Sequence, residues 1–356
     1  MSPSTDASQT APAPTKPRAR SMRLMRNMPI GKKMAVVVGA MVLPLLALLG
    51  LYAWSQYKGL TFIDQEIDGL AYCHPLEEIG GEIDLRAEKL ASALSSSTKP
   101  DLSAIDAGID QLMDEMDAAD KRHGRPASHA LWTEVQASWS KLKGANFTGF
   151  DESLEAHEAL VRQISHLRTH ISTEWGMALD PEAQTFFLLD ITVNSIPEIE
   201  NSVGALRSMI AAGENGAASS ADLRMEMIRH AAVTDDRISE IEDTLKVIKA
   251  KTAGNAQAAA VFAEMDTTWN KTLQGWTAAV GMLASEGRTA SADYKALSDR
   301  GDALPDQIGK VHDQMMKVTT LLLAERRHDL LVQMIVGISL VLLLCAIAVK
   351  LSHAVS

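Results

Sequence analysis

Cysteine and aromatic residues are both scarce in this sequence of 356 residues. Of the two cysteines, Cys345 lies in a hydrophobic run and Cys73 lies far from it, so no internal disulfide framework is expected. Cys73 is then either a small packed residue or the partner of its own copy in a dimer. Aromatic residues make up 4% of the chain, which disfavours a sheet protein and favours helical bundles rich in Ala, Leu, Met and Glu.

The motifs of common enzymes are also missing. The sequence contains no HExxH, no GxSxG, no phosphate-binding Walker loop and no dinucleotide-binding fingerprint. We therefore expect neither an enzyme nor a bound cofactor. The net charge of −11 gives no sign of a basic surface that could bind nucleic acid. We therefore do not expect nucleic acid as a partner.

Two long hydrophobic segments are the main feature that the sequence does have. Residues 34–54 include no charged residue, and neither do residues 330–349, after which Lys350 ends the run. A helix needs about 20 apolar residues to cross a bilayer. We therefore predict transmembrane helices at residues 34–54 and 330–350.

Charge predicts the orientation of these two segments. The first 33 residues carry seven Lys or Arg against one Asp, and such a cluster keeps its flank in the cytoplasm. Lys350 adds one positive charge. The net charge of the whole chain is −11, so residues 55–329 carry −18. With both ends of the chain in the cytoplasm, this acidic segment should lie on the outer side of the membrane. Residues 1–33, rich in Ser, Thr, Pro and Ala, are predicted to be a disordered basic tail, and residues 351–356 a cytoplasmic stub.

The outer segment, residues 55–329, shows apolar residues at three- and four-residue steps, which predicts an all-α domain of long antiparallel helices. The first helix should continue outward to about Ser96, with a bend at Pro75. Its outer part alone would span ~64 Å, too long for one compact bundle. We therefore expect two four-helix bundles stacked end to end, with one long bundle as the alternative. Gly301 and Pro305 should interrupt the last helix.

A weak metal-site candidate lies on one predicted helix. His166 and His170 are four residues apart and Glu174 follows one turn later, a spacing that can present three ligands from one face. The alternative, which we favour, is a solvated polar face, because three groups on a helix that also carries Arg162 and Arg168 do not define a site.

A polar stripe with a proline beside it is the stronger candidate for ligand binding. Asp190, Asn194 and Asn201 adjoin an apolar seam, and Pro197 frees the carbonyl of Val193. Polar side chains beside a bend can line a small pocket. The alternative is that these groups simply hydrogen-bond between helices and fix their register.

Two segments resemble the sensor region of bacterial methyl-accepting chemotaxis proteins. One is LDPEAQTFFLLDITVNSIPEIENSVGALRSM, and the other is GLAYCHPLEEIGGEIDLR on the first outer helix, which ends at Arg86. The positions that carry the resemblance in the longer segment are Asp180, Pro181, Phe186, Phe187, Asp190, Pro197 and Arg207. Phenylalanine replaces the commoner tyrosine pair, and Arg86 lacks the usual preceding histidine.

The resemblance implies a receptor in the bacterial inner membrane, with its N-terminus inside and the bulk of the chain in the periplasm. It implies a homodimer that detects a small molecule or a periplasmic protein and transmits the signal by helix displacement. If a small ligand binds, we expect Arg86, Asp190, Asn194 and Arg207 to contact it. Two arginines would favour an anionic ligand, and they would have to approach each other.

The output of such a receptor is not contained in this sequence. Chemotaxis receptors continue after the second membrane helix into a cytoplasmic linker and coiled coil, whereas only residues 351–356 follow here. We therefore expect a cytoplasmic signalling partner or a further C-terminal domain. The sensor region of a histidine kinase or diguanylate cyclase is one alternative, and a membrane-anchored helical scaffold without ligand is another.

Overall fold

The computed structural model describes residues 28–216, 220–265 and 269–354. This part of the chain is almost entirely helical and contains no strand, which confirms the all-α class. Residues 1–27 of the predicted disordered tail lie outside the described residues. Residues 30–33, which were predicted to belong to the tail, are instead the start of the first helix, which begins at Ile30.

The helices follow one another with short connections. In chain order they are α1 (Ile30–Ser95), α2 (Ser103–His123), α3 (Pro126–Lys143), α4 (Phe150–Glu174), a 3-10 turn (Met177–Leu179), α5 (Ala183–Asp190), a π-helical turn (Ile191–Ser195), α6 (Ile196–Glu214), α7 (Ala221–Thr252), α8 (Ala256–Glu264), α9 (Trp269–Ser285), α10 (Ser291–Gly301) and α11 (Leu304–Ala354).

The first helix is continuous through Pro75, as its apolar periodicity predicts. It ends in a compact turn in which the Thr98 N–H donates to the Ala93 carbonyl at 2.9 Å. Ser97 between them has a φ of 53°, the left-handed conformation that commonly closes a helix. The local sequence therefore both extends α1 and stops it.

Residues 59–330 form one compact unit with two hydrophobic cores. Core A joins α1, α2, α3 and α4, and its buried residues include Ile63, Leu76, Ile83, Met116, Trp132, Trp139 and Leu167. Core B joins α6, α7, α9, α10 and the first half of α11, and its buried residues include Leu206, Met227, Ile241, Leu273, Trp276, Tyr294 and Met315.

Both groups of helices contact α1 over the same length. On one face the Tyr72 hydroxyl donates to Asp120 of α2 at 2.5 Å. A little further along, Glu77 contacts His312 of α11. The two groups therefore lie side by side along α1, rather than end to end as the length of this helix alone suggests.

A π-helical turn lies where a bend beside Pro197 was predicted. The α-helix ends at Asp190, Ile191–Ser195 follow the wider π spacing, and α6 starts at Ile196 with Pro197 in its first turn. A proline lacks the N–H that would bond to Val193 and crowds that carbonyl, so the extra residue of a π turn relieves the conflict.

The last helices break where glycine and proline predict. The helix α10 ends at Gly301, and α11 starts at Leu304 with Pro305 in its first turn. A side chain at Gly301 would meet the Trp276 indole, since its Cβ would lie 2.9 Å from Nε1. This glycine therefore also permits close packing of α10 on α9.

A second unit comprises residues 28–58 and 331–354 among those described. It consists of parts of α1 and α11, the two helices that are long and apolar enough to cross a membrane, and none of their apolar stretches is buried. The Tyr52 hydroxyl donates to the Gln333 carbonyl at 2.9 Å. The Tyr52 ring also lies against Gly337, where a Cβ would come within 2.8 Å of it.

Candidate functional site

The predicted polar stripe is used for contacts within the protein. The Asn194 side-chain amide, in the π-helical turn, donates at 2.8 Å to the carboxylate of Asp190, the last residue of α5. The Asn201 amide donates to the Ser165 hydroxyl of α4 at 3.2 Å. Asn201 thus makes an interhelical hydrogen bond, as the alternative to a ligand pocket predicted.

The two arginines predicted to share a ligand are separated by α1. Arg86 is buried, and it donates from Nε to Asp106 of α2 at 2.7 Å and lies 2.9 Å from Nε2 of His157 in α4. Arg207 of α6 instead reaches Glu88. Because positions 86 and 88 are about 200° apart around a helix, they face opposite sides of α1.

The four predicted ligand residues therefore belong to three sets of contacts: Arg86 with α2 and α4, Asp190 with Asn194, and Arg207 with α1 and α10. The structure does not bring Arg86 and Arg207 to one site.

The predicted histidine pair is also only partly assembled. Nε2 of His170 lies 3.0 Å from the Glu174 carboxylate, while His166 is exposed. Among the described residues, a different set of three side chains brings potential metal-ligand atoms close together.

That set is Glu77 of α1, Glu200 of α6 and His312 of α11. Their ligand atoms all lie within 4.8 Å of one another. Nδ1 of His312 contacts Glu77 and lies 3.9 Å from Glu200, and the His312 side chain is 3% exposed. Sequence spacing offers no signal for this cluster, because each residue comes from a distant part of the chain and only the fold unites them.

Electrostatics in this cluster favour a charged imidazole. Burial alone lowers the pKa of His312, but the adjacent Glu200 and Glu77 carboxylates reverse that effect and raise it to about 9. Burial also raises the pKa of Glu200, and His312 opposes this rise. Burial also lowers the pKa of the nearby Arg168 guanidinium, and the negative charges of Glu200 and Glu77 partly offset this decrease.

A cavity of about 150 Å³ lies close by, between α1, α4, α6 and α7. Its polar lining includes Asp84, Glu158, Arg162, Asn201, Ser208, Arg229 and His230. Burial, with the charges of Glu200, Glu158 and Glu88, raises the pKa of Asp84 well above its usual value. Such a shift favours the neutral form of the carboxyl group, which can donate a hydrogen bond.

Glu158 has the opposite character in the same cavity. Burial favours its neutral form, but the His230 imidazole, 3.6 Å away, and the charges of Arg162 and Arg229 lower its pKa. The cavity thus combines a carboxyl group whose neutral form is favoured, a carboxyl group whose ionised form is favoured, and the cationic side chains of two arginines. Such a lining can hold a small polar molecule in one orientation.

A third polar cluster connects α1, α11 and the segment before α5. Arg326 lies 2.9 Å from Asp180 and 3.6 Å from Glu66, while its Nε lies 3.2 Å from Glu182. Both Glu66 and Asp180 are buried. The Asp180 carboxylate also accepts the Glu182 N–H at 2.8 Å, just before α5.

Comparison with protein-family models, with curated proteins and with solved structures found no match to this chain.

Proposed function

We propose that this chain is the sensor module of a transmembrane receptor of the chemotaxis type. In this proposal it is anchored in the bacterial inner membrane with its N-terminus in the cytoplasm and residues 55–329 in the periplasm. It acts as a homodimer, detects a small molecule or a periplasmic protein, and passes the signal to a cytoplasmic partner or a further C-terminal domain.

The observation that carries the proposal is the continuity of two helices. The helix α1 contains an apolar stretch long enough to cross a membrane, and its later turns hold Glu66, Glu77 and Asp84. The helix α11 contains the other apolar stretch and holds His312 and Arg326. Buried polar contacts therefore lie on the same helices as the apolar segments.

Such an arrangement supports signalling by helix displacement. Buried polar contacts have few alternative geometries, so a ligand that changes one of them shifts the helix that carries it. Shifts of about 1–2 Å at helix interfaces are an established switching mode.

The cavity beside Asp84 is the favoured place for a small ligand. Its volume of about 150 Å³ is below the roughly 300–1,000 Å³ of ordinary small-molecule pockets. The ligand must accordingly be small, or its binding must move α4 or α7 outward. A lining of both charges favours a small polar molecule that carries both a hydrogen-bond acceptor and a cationic group.

A scaffold without ligand is the second candidate function. It is favoured by the protein partners of Arg86 and Arg207, because both arginines predicted to bind an anion already contact carboxylates. The sensor region of a histidine kinase or diguanylate cyclase would share the mechanism and differ only in output.

A chimera tests the sensory role. The full chain is joined after Ser356 to the cytoplasmic linker and coiled coil of a chemotaxis receptor, and kinase output is measured with amino acids, dicarboxylates and polyamines. A sensor responds to at least one compound, and the response is lost in Glu158→Gln but kept in Glu155→Gln, an exposed position on the same helix. A chimera that no compound affects favours the scaffold.

Topology needs a separate test. Alkaline phosphatase, which is active only outside the cytoplasm, is fused after Lys99 in the loop between α1 and α2 and, in a second chain, after Ser356. The proposed orientation requires activity from the first fusion and none from the second. The reverse pattern would place residues 55–329 in the cytoplasm and overturn the receptor proposal.

A further inference from the structure

Three ligand-bearing side chains converge inside the unit formed by residues 59–330, and none of them belongs to the cavity beside Asp84. Glu77, Glu200 and His312 come from α1, α6 and α11, and their ligand atoms lie within 4.8 Å of one another. The imidazole is almost fully buried and points Nδ1 at both carboxylates. Neither of its ring nitrogens has a well-formed hydrogen bond among the described residues.

From this convergence we infer that Glu77, Glu200 and His312 form a binding site for a divalent transition-metal ion of the Zn²⁺ class. The inference does not depend on the sensory role, since it concerns only what these three residues can hold.

The donor set selects the class of ion. Two carboxylate oxygens and one imidazole nitrogen suit Zn²⁺, Co²⁺, Ni²⁺, Mn²⁺ or Fe²⁺, whereas Ca²⁺ and Mg²⁺ prefer oxygen ligands alone and Cu(I) prefers sulfur. Two carboxylates also balance the charge of a divalent ion. Three protein ligands leave a fourth position for water or a small ligand, as in open zinc sites.

The geometry needs little change to accept the ion. Donors around a tetrahedral Zn²⁺ at ~2.1 Å lie ~3.4 Å from one another. The more distant of the observed atoms, within 4.8 Å, would have to close by at most about 1.4 Å, and the Glu77–His312 contact would have to open. Both movements are within reach of side-chain rotation.

The competing explanation is a buried ion network without metal, in which protonated His312 pairs with the two carboxylates and Arg168 adds a second positive charge. The two explanations differ in one respect. The ion network gains nothing from added metal, whereas a metal site gains stability when metal binds to the folded chain.

Cobalt provides the probe. The purified full chain in lipid nanodiscs, without a histidine tag, is stripped with a chelator and titrated with Co²⁺, whose visible absorption reports tetrahedral N/O coordination. We expect one ion per chain, and at least about tenfold weaker binding in Glu200→Gln and His312→Gln. Added Zn²⁺ should displace the cobalt and raise the Tm of the parent chain, but not the Tm of these variants.

His170→Gln is the matched control, because it removes an imidazole from the other candidate cluster and leaves this site intact. If His312→Gln does not fold, Glu77→Gln and Glu200→Gln, which keep the side-chain shape, carry the comparison. Absence of a cobalt spectrum in the parent chain overturns the inference. Equal Co²⁺ affinity in the parent chain and Glu200→Gln overturns it as well, and neither outcome bears on the chimera's response to small molecules.

Discussion

Arg207 of α6 holds the carboxylate of Glu88 in α1 with two hydrogen bonds, from Nε to Oε2 at 2.9 Å and from Nη2 to Oε1 at 3.1 Å. Its third nitrogen, Nη1, donates to the Gly301 carbonyl at the end of α10. One side chain thus connects three helices and joins α1 to core B. The paired geometry matches the planar guanidinium and would be lost in a lysine.

Arg207→Met should therefore destabilise the fold. The side chains of Arg207 and Glu88 are only 13% and 17% exposed, so the substitution leaves a half-buried carboxylate and a carbonyl without their donors. We expect the free energy of unfolding of the full chain in detergent to fall by about 2–3 kcal/mol. Chemical denaturation followed by circular dichroism measures it.

Arg237→Met is the control for that experiment. Arg237 pairs with Glu198 and Glu240, but these side chains are 36–53% exposed, so the loss should stay below about 1 kcal/mol. Replacing Glu88 and Arg207 together should recover part of the stability, because no uncompensated charge remains. Equal losses in the two arginine variants would show that the Arg207 contacts are no stronger than a surface ion pair.

The close approach of α6 to α1 requires a glycine at position 204. A Cβ there would lie 2.6 Å from Cβ of Asp84, closer than side chains pack. Gly204→Ala should therefore force the helices apart and cost about 1–3 kcal/mol. Denaturation of the full chain gives the change in stability, and an altered α1–α6 contact should also disturb the cavity.

Gly81→Ala tests the same substitution without the clash. Nothing lies within 4 Å of a Cβ at Gly81 on the exposed side of α1, so alanine should stabilise that helix by about 0.5–1 kcal/mol. Opposite signs at Gly204 and Gly81 are the expected result. Stabilisation at both positions would mean that α1 and α6 are not held as closely as the structure shows.

The sequence predicted those features that depend on neighbouring residues. The long apolar runs, the continuity of α1 through Pro75, and the break between Gly301 and Pro305 are all local signals, and the structure contains each of them. The π turn before Pro197 falls beside the predicted bend. Local sterics and hydrophobic length are sufficient for such predictions.

The contacts between helices could not be predicted in this way. Apolar periodicity shows which face of a helix is buried, but it does not identify the partner helix. The sequence therefore allowed Arg86 and Arg207 to meet. In the structure Arg207 instead contacts Glu88, which lies two positions after Arg86 and faces the opposite side of α1. Glu77 and His312 gave no signal, because only the return of α11 along α1 brings them together.

Glu66 should make the stability of the chain fall as pH rises. Burial, reinforced by Asp180 and only partly offset by Arg326, raises the pKa of Glu66 to about 8, against 4.5 in the unfolded chain. Between these values the folded state binds more protons than the unfolded state. The free energy of unfolding must then decrease with pH, by at most about 1.4 kcal/mol per pH unit for this one group.

Glu66→Gln isolates that contribution, because glutamine cannot titrate. The Tm of the full chain, measured from about pH 5 to pH 8, should fall less steeply in Glu66→Gln than in the parent chain. Glu78→Gln, at a half-exposed position on the same helix, should leave the parent slope unchanged. Parallel curves for the parent chain and Glu66→Gln would show that Glu66 is already ionised in the folded state.

The Cys73 thiol should be protected in the folded chain. Its side chain is buried in core A, and burial raises the pKa of the thiol to about 12, with Arg168 lowering it and Glu77 adding to the rise. Since the thiolate is the reactive form, both access and ionisation are suppressed. This favours the packed-residue interpretation of Cys73 over a disulfide between two copies of the chain.

Thiol labelling in a Cys345→Ala background tests this protection. With Ellman's reagent at pH 8, Cys73 should react at least about a hundredfold more slowly in the folded chain than in guanidinium. A control chain with Cys73→Ala and Ser92→Cys carries its thiol at an exposed position of α1, and it should react rapidly in both conditions. Rapid labelling of folded Cys73, or a disulfide-linked dimer on a non-reducing gel, would show that α1 opens from core A. That opening would place the thiol in reach of a second copy, which the packed helix does not allow.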